Sequence, residues 1–119
     1  MKKGTWPKPS IELGEVLTKH VSRFPAQRRT MFGATCYFVN GNMFAGVFSD
    51  KLFARFSAED RALLSEKGMG DVFEPVPGRV MREYSTLSKK VMDAPEAIDH
   101  WLERSFEYVS SLKPKEEKG

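Results

Sequence analysis

The chain has a single cysteine, Cys36, and only two histidines, His20 and His100, among its 119 residues. One cysteine excludes an internal disulfide and leaves no thiolate cluster for a structural metal. That scarcity suits a reducing cytoplasm, which is the expected setting. The two histidines lie far apart in sequence and offer no ligand cluster, so neither a metal nor a cofactor is expected. Charge of one sign is lacking too. A net charge of +3, from 19 basic and 16 acidic residues, permits contact with nucleic acid without requiring it. No apolar run approaches the roughly 20 residues that a membrane helix needs. The basic start Met1-Lys2-Lys3 is followed by Gly4 and Pro7, not by the apolar stretch of a secretory signal. No membrane association is expected. There is no Gly-x-Ser-x-Gly elbow, and neither Gly68-x-Gly70 nor Pro77-Gly78 is followed by the lysine and hydroxyl residue of a phosphate loop. No catalytic residue is assigned, and the chain is read as non-enzymatic.

What is present is patterned and rich in phenylalanine. Residues 1–9, with Gly4, Pro7 and Pro9, read as a flexible leader, residues 10–113 as one domain, and 114–119 as a charged, disordered tail. Ser10 predicts the cap of a helix whose apolar stripe is Leu13, Val16, Leu17, His20, Val21 and Phe24, and which Pro25 ends. Gly14 weakens that helix by roughly 1 kcal/mol relative to alanine. Three short strands follow, Ala34–Val39, Met43–Phe48 and Lys51–Phe56, separated by Asn40-Gly41, which suits a type I′ turn, and by Ser49-Asp50. Arg29–Gly33 adds a strand before them, or a bulged continuation with Gly33 as its irregular point. Ser57 opens a second helix with Leu63 and Leu64 inward and Gly68 as its stop. Val72–Val76 and Val80–Ser85 form a second hairpin around Pro77-Gly78, with Pro75 confining the first of them to an edge or a loop. Asp93 is the predicted cap of the closing helix, with Pro95 in its first turn, Glu96 three residues after the cap, and a stripe from Ala97 to Leu112. The predicted class is α+β: a two-layer domain in which an antiparallel sheet, a meander plus a second hairpin, packs with N-terminal, middle and C-terminal helices.

The strands are apolar on both sides. Alternation sends Met43, Ala45 and Val47 one way and Phe44, Gly46 and Phe48 the other, and sets Leu52, Ala54 and Phe56 opposite Phe53. Helices that cover one face leave the other to a partner or a second copy, unless all three predicted helices together cover both. Self-association or a protein partner is therefore the leading expectation. A basic set, Arg28, Arg29, Arg79 and Arg82 with Lys89 and Lys90, would share a face if the two hairpins lay side by side. Arg28, Arg29, Phe32, Arg79 and Arg82 form the candidate interaction surface, and the arginines support the alternative reading as a nucleic-acid-binding accessory domain. Lys51–Phe56 has the aromatic spacing of an RNA-recognition strand but lacks its glycine and its continuation. A third reading is a small-molecule sensor or uncharacterised enzyme with a pocket between sheet and helix that includes Trp101 or Cys36, although no ligand is identified. Cys36 itself, in a strand beside Tyr37, is expected to be buried and inert, and His20 to be a packed, hydrogen-bonded residue.

Several motifs occur together in order: Arg29-Thr30-Met31-Phe32-Gly33, then Gly41-x-Met43-Phe44-Ala45, then Asp50-Lys51-Leu52-Phe53-Ala54-Arg55-Phe56, then Asp93-Ala94-Pro95-Glu96 leading to His100-Trp101. In these the chain resembles the N-terminal domain of the TfoX/Sxy family of competence regulators, over roughly residues 27–112. The resemblance implies an antiparallel sheet with helices on one face and a regulatory role linked to transcriptional control of DNA uptake. Full-length relatives carry a second, helical domain and act with the cyclic-AMP receptor protein. The resemblance supplies no catalytic residue.

Overall fold

The computed structural model describes residues 8–31 and 33–115. Its elements run α1 (Ile11–Val21), β1 (Gln27–Met31), β2 (Ala34–Val39), β3 (Asn42–Phe48), β4 (Lys51–Arg55), α2 (Ala58–Glu66), β5 (Gly70–Val76), β6 (Arg79–Leu87), α3 (Lys89–Met92) and α4 (Pro95–Ser110). The strands form one antiparallel sheet in the order β1-β2-β3-β4-β6-β5, so β1 and β5 are its edges. This is the α+β arrangement of meander and second hairpin that the sequence implies. Among the described residues, no helix is long and apolar enough to cross a membrane.

Local signals account for most of the elements. Leu13 N–H donates to Ser10 Oγ at 3.1 Å, and Asp60 N–H donates to Ser57 Oγ at 3.2 Å, so both serines cap their helices. Asn40 and Gly41 sit at φ 52° and 82°, the left-handed pair that a type I′ turn requires. Two details differ from expectation. The first strand is Gln27–Met31, and Gly33, at φ 71°, belongs to the turn into β2. The predicted cap Asp93 does not cap α4, because the short helix α3 precedes it and Lys89 Nζ holds its carboxylate at 2.9 and 3.2 Å. The cap falls instead at Ala94, which has no side chain to offer, and Pro95 begins the helix. Beyond α4 the chain returns to the β2–β3 turn. There Lys115 N–H donates to Asn40 O at 2.8 Å and Asn42 Nδ2 donates to Lys113 O at 3.1 Å, so the segment from 113 to 115 is tied down.

Every helix lies against the same face of the sheet. Leu17 and Val21 of α1, Leu64 of α2, Val91 of α3, and Ile98, Trp101, Leu102 and Val109 of α4 join Tyr37, Val39, Ala45, Val47, Leu52, Ala54 and Leu87 in one buried core. Phe44 also belongs to it, contrary to simple alternation. Tyr37 pairs with Ala45, but the next residue, Phe38, pairs with Met43, which leaves Phe44 as an extra residue on β3. This bulge lets Phe44 and Ala45 face the same way. The Phe44 ring then meets Phe24 and Phe106 edge-on at 5.7 Å each, while those two stack at 4.6 Å.

The opposite face is filled from within the chain. Cys36, Phe38, Met43, Phe53 and Phe73 are buried there, with Phe48, Met81 and Tyr84 packed around them. The cover comes from the far half of the β5–β6 hairpin. Val72 pairs with Ser85 but Phe73 pairs with Met81, so Arg82, Glu83 and Tyr84 have no partner on β5, although Tyr84 still pairs with Arg55 of β4, and this bulge turns the far half of the hairpin toward the sheet face. Phe73 stacks on Phe53 at 4.2 Å and meets Phe48 edge-on at 5.7 Å, and the Tyr84 hydroxyl donates to Met43 O at 3.1 Å. A β-hairpin of the chain itself, rather than a helix, thus covers this face.

Gly46 lies under this cover. A Cβ there would fall 2.6 Å from Cys36 Sγ and 2.7 Å from Phe53 Cζ, both in fully buried side chains. Gly46→Ala should overpack the layer and cost about 2 kcal/mol in urea unfolding. An unchanged midpoint would show that the layer has room to spare.

Candidate interaction site

Strand alternation divides the residues of β1. Arg28 pairs with Tyr37, a helix-side residue, and Thr30 pairs with Thr35, so both point toward the helices. Arg29 points the other way, with its guanidinium 4.7 Å over the ring of Phe38. Arg28 and Arg29 therefore lie on opposite faces of one edge strand. Arg79 and Arg82 lie on β6, separated from β1 by β2, β3 and β4, so the two hairpins are not side by side. Arg79 opens β6 just after the Pro77-Gly78 turn, and Arg82 lines a small crevice with Arg61 and Asp71. Phe32 lies outside the described residues.

A concavity runs between α1 and the β1–β2 edge. It encloses about 550 Å³, with Ile11, Gly14, Thr18 and Lys19 on the helical wall and Arg28 and Thr30 on the strand wall. Ala34, Thr35 and Val47 line it as well. It exists because α1 packs against β3, β4 and α4, so that its other flank overhangs β2. Thr18 Oγ1 and the Tyr37 hydroxyl share a 2.9 Å hydrogen bond at this flank. Ile11 is 79% exposed, the most open large apolar side chain among the described residues. Arg28 makes one long bond, 3.5 Å, to Thr35 Oγ1. Sequence reasoning placed a pocket elsewhere, beside Trp101 or Cys36. Both of those are buried, Trp101 edge-on to Phe56 at 6.0 Å. The one available signal was Gly14, a glycine inside a helix.

The other chemistry-bearing residues have structural partners. Cys36 is wholly buried, and burial pushes its thiol up to about 12, so it stays protonated at neutral pH. His20 Nδ1–H donates to Asp99 Oδ1 at 2.5 Å and ties α1 to α4, since a carboxylate can only accept. His100 is exposed and meets Trp101 edge-on at 5.0 Å. Among the described residues, no three His, Cys, Asp or Glu side chains gather in a way that could hold a metal ion.

Residues 21–109 match the family model of the TfoX N-terminal domain. The chain belongs to that family. The match takes in the whole sheet and α2 and α3, and reaches to the last turn of α4. The helical wall of the groove, Ile11 to Lys19, precedes the matched stretch, so the groove combines a TfoX sheet edge with a helix outside the matched region. No curated protein matches the chain.

Proposed function

We propose that this TfoX domain is a non-enzymatic, cytoplasmic interaction module that binds a protein partner at its β1 edge and serves a regulatory role linked to transcription. The observation that carries this reading is the β1 edge itself, to which no further strand pairs among the described residues. Both sheet faces are filled from within the chain, which leaves the edges as binding templates. The two edges differ. β5 contains Pro75, carries Asp71 and Glu74, and its ladder to β6 is broken twice. β1 pairs with β2 through five consecutive residues without a shift and contains no proline. A strand added to β1 would continue a regular ladder.

The test is affinity capture from native lysate, with and without nuclease, followed by hydrogen exchange on the captured complex. A partner that survives nuclease and slows exchange within 27–31 is the expected result. A partner set that vanishes with nuclease would transfer the function to nucleic acid. Protection confined to other segments would remove the β1 edge from the reading.

A further inference from the structure

We propose that the groove between α1 and β1 reads an extended acidic segment of a protein, which adds as a strand to β1 and seats one apolar side chain between Ile11 and Gly14. This rests on the reading of β1 as the docking edge.

Gly14 is the first support. Glycine inside a helix is costly, because it has the most backbone freedom to lose. Its φ is not in the left-handed region, and a Cβ added there would meet no atom of the described residues within 4 Å. Neither backbone geometry nor packing in the domain calls for glycine at this position. Its one structural consequence is a wider groove, since Gly14 lines the helical wall. Beside it, Ile11 presents an open apolar surface, and Val47 and Ala34 supply apolar lining. A branched aliphatic side chain suits that setting.

Charge identifies the rest of the occupant. Arg28 and Lys19 line the groove against a single acidic residue, Glu15, and Arg29 stands on the other face of the same strand. An incoming strand therefore meets two cations on its groove face, and carboxylates on that face are complementary. A second copy of this chain is a poor occupant. Antiparallel pairing of two β1 strands about a two-fold axis sets Arg29 opposite Arg29 when centred there, and Arg28 opposite Arg28 when centred on that residue. Like charges placed directly opposite destabilise a ladder.

The experiment monitors backbone amide signals of the full chain by NMR. The probe is a short capped peptide of glutamate, threonine and valine around a central leucine, and its counterpart has lysine in place of glutamate. The acidic peptide should shift Gly14 and residues 27–31 and slow exchange in β1, while the lysine peptide should not. Arg28→Glu and Gly14→Leu should each weaken binding at least about tenfold, the first by charge reversal and the second by filling the groove. Arg28 is exposed and leucine favours the helix over glycine, so thermal unfolding should show both variants folded. Equal binding of the two peptides, or undiminished binding by Gly14→Leu, overturns the proposal. So does a decanoate titration that shifts the groove signals when no peptide does. If no peptide binds but a captured partner still protects β1, the groove inference fails while the edge reading stands. Loss of that protection defeats both.

Discussion

Phe73→Ala is expected to free the far half of the β5–β6 hairpin and to lower stability by about 3–5 kcal/mol, the usual cost of removing a buried phenylalanine. Phe73 is 2% exposed and is the residue of β5 in the second core. It stacks on Phe53 at 4.2 Å and touches Phe48 edge-on, so its loss removes apolar burial and two aromatic contacts together. The ladder is already broken on both sides of Phe73, which leaves few backbone bonds to hold the hairpin down once the ring is gone. Cys36 provides the readout. It is the only thiol in the chain, it lies wholly buried in the same layer, and burial raises its thiol to about 12, so the native protein should resist thiol reagents at neutral pH. In the variant, labelling should proceed through local opening well before global unfolding. If labelling matches the wild type at low denaturant and the midpoint hardly moves, the hairpin is not what closes this face.

Much of the architecture could be read from residues in sequence, because it arises from short-range chemistry. The Asn40-Gly41 turn, the Ser10 and Ser57 caps and the Gly68 stop act within a few residues of themselves, and each is found where expected. Three features were out of reach for a physical reason. Phe44 obeys a period of two in sequence, but an extra residue in β3 relative to β2 reverses its side, and nothing local announces that. The fold of the hairpin over the second face depends on Phe73 meeting Phe53, twenty residues away in the chain. Asp93 carries a cap signature, yet Lys89 competes for its carboxylate through a helical turn too short to show periodicity. The candidate site shows the same division. Arg28 and Arg29 could be singled out in the sequence as members of a basic set, whereas their positions on opposite faces of an edge strand, and the groove that gives Arg28 its setting, follow from the order of the strands and from how α1 crosses β3 and β4.

Arg104→Ala should cost about 3 kcal/mol, the lower end of the usual penalty for removing one member of a buried ion pair. Asp60 is 4% exposed in the first turn of α2, and its carboxylate accepts two bonds from Arg104 of α4, Nε at 3.0 Å and Nη2 at 2.7 Å. This bidentate pair clamps a helix that has little else to hold it, since Leu64 is its only buried apolar residue. Alanine at 104 leaves the buried carboxylate without its cation. The Arg104 side chain is 45% exposed, so water can enter where it stood, which keeps the cost at the lower end. Asp60→Asn in the same chain should recover part of the loss, because an uncharged amide costs less to bury alone. A double-mutant cycle in urea should then give a coupling of at least about 1 kcal/mol, and additivity within error would show that the pair contributes nothing specific. α2 packs on β5 and β6, at the far end of the sheet from β1. Below its melting temperature, Arg104→Ala should therefore bind the acidic peptide as the wild type does, whereas Arg28→Glu should lose the peptide with little change in stability. Stability and recognition then reside at opposite edges of one sheet, and the two variants separate them.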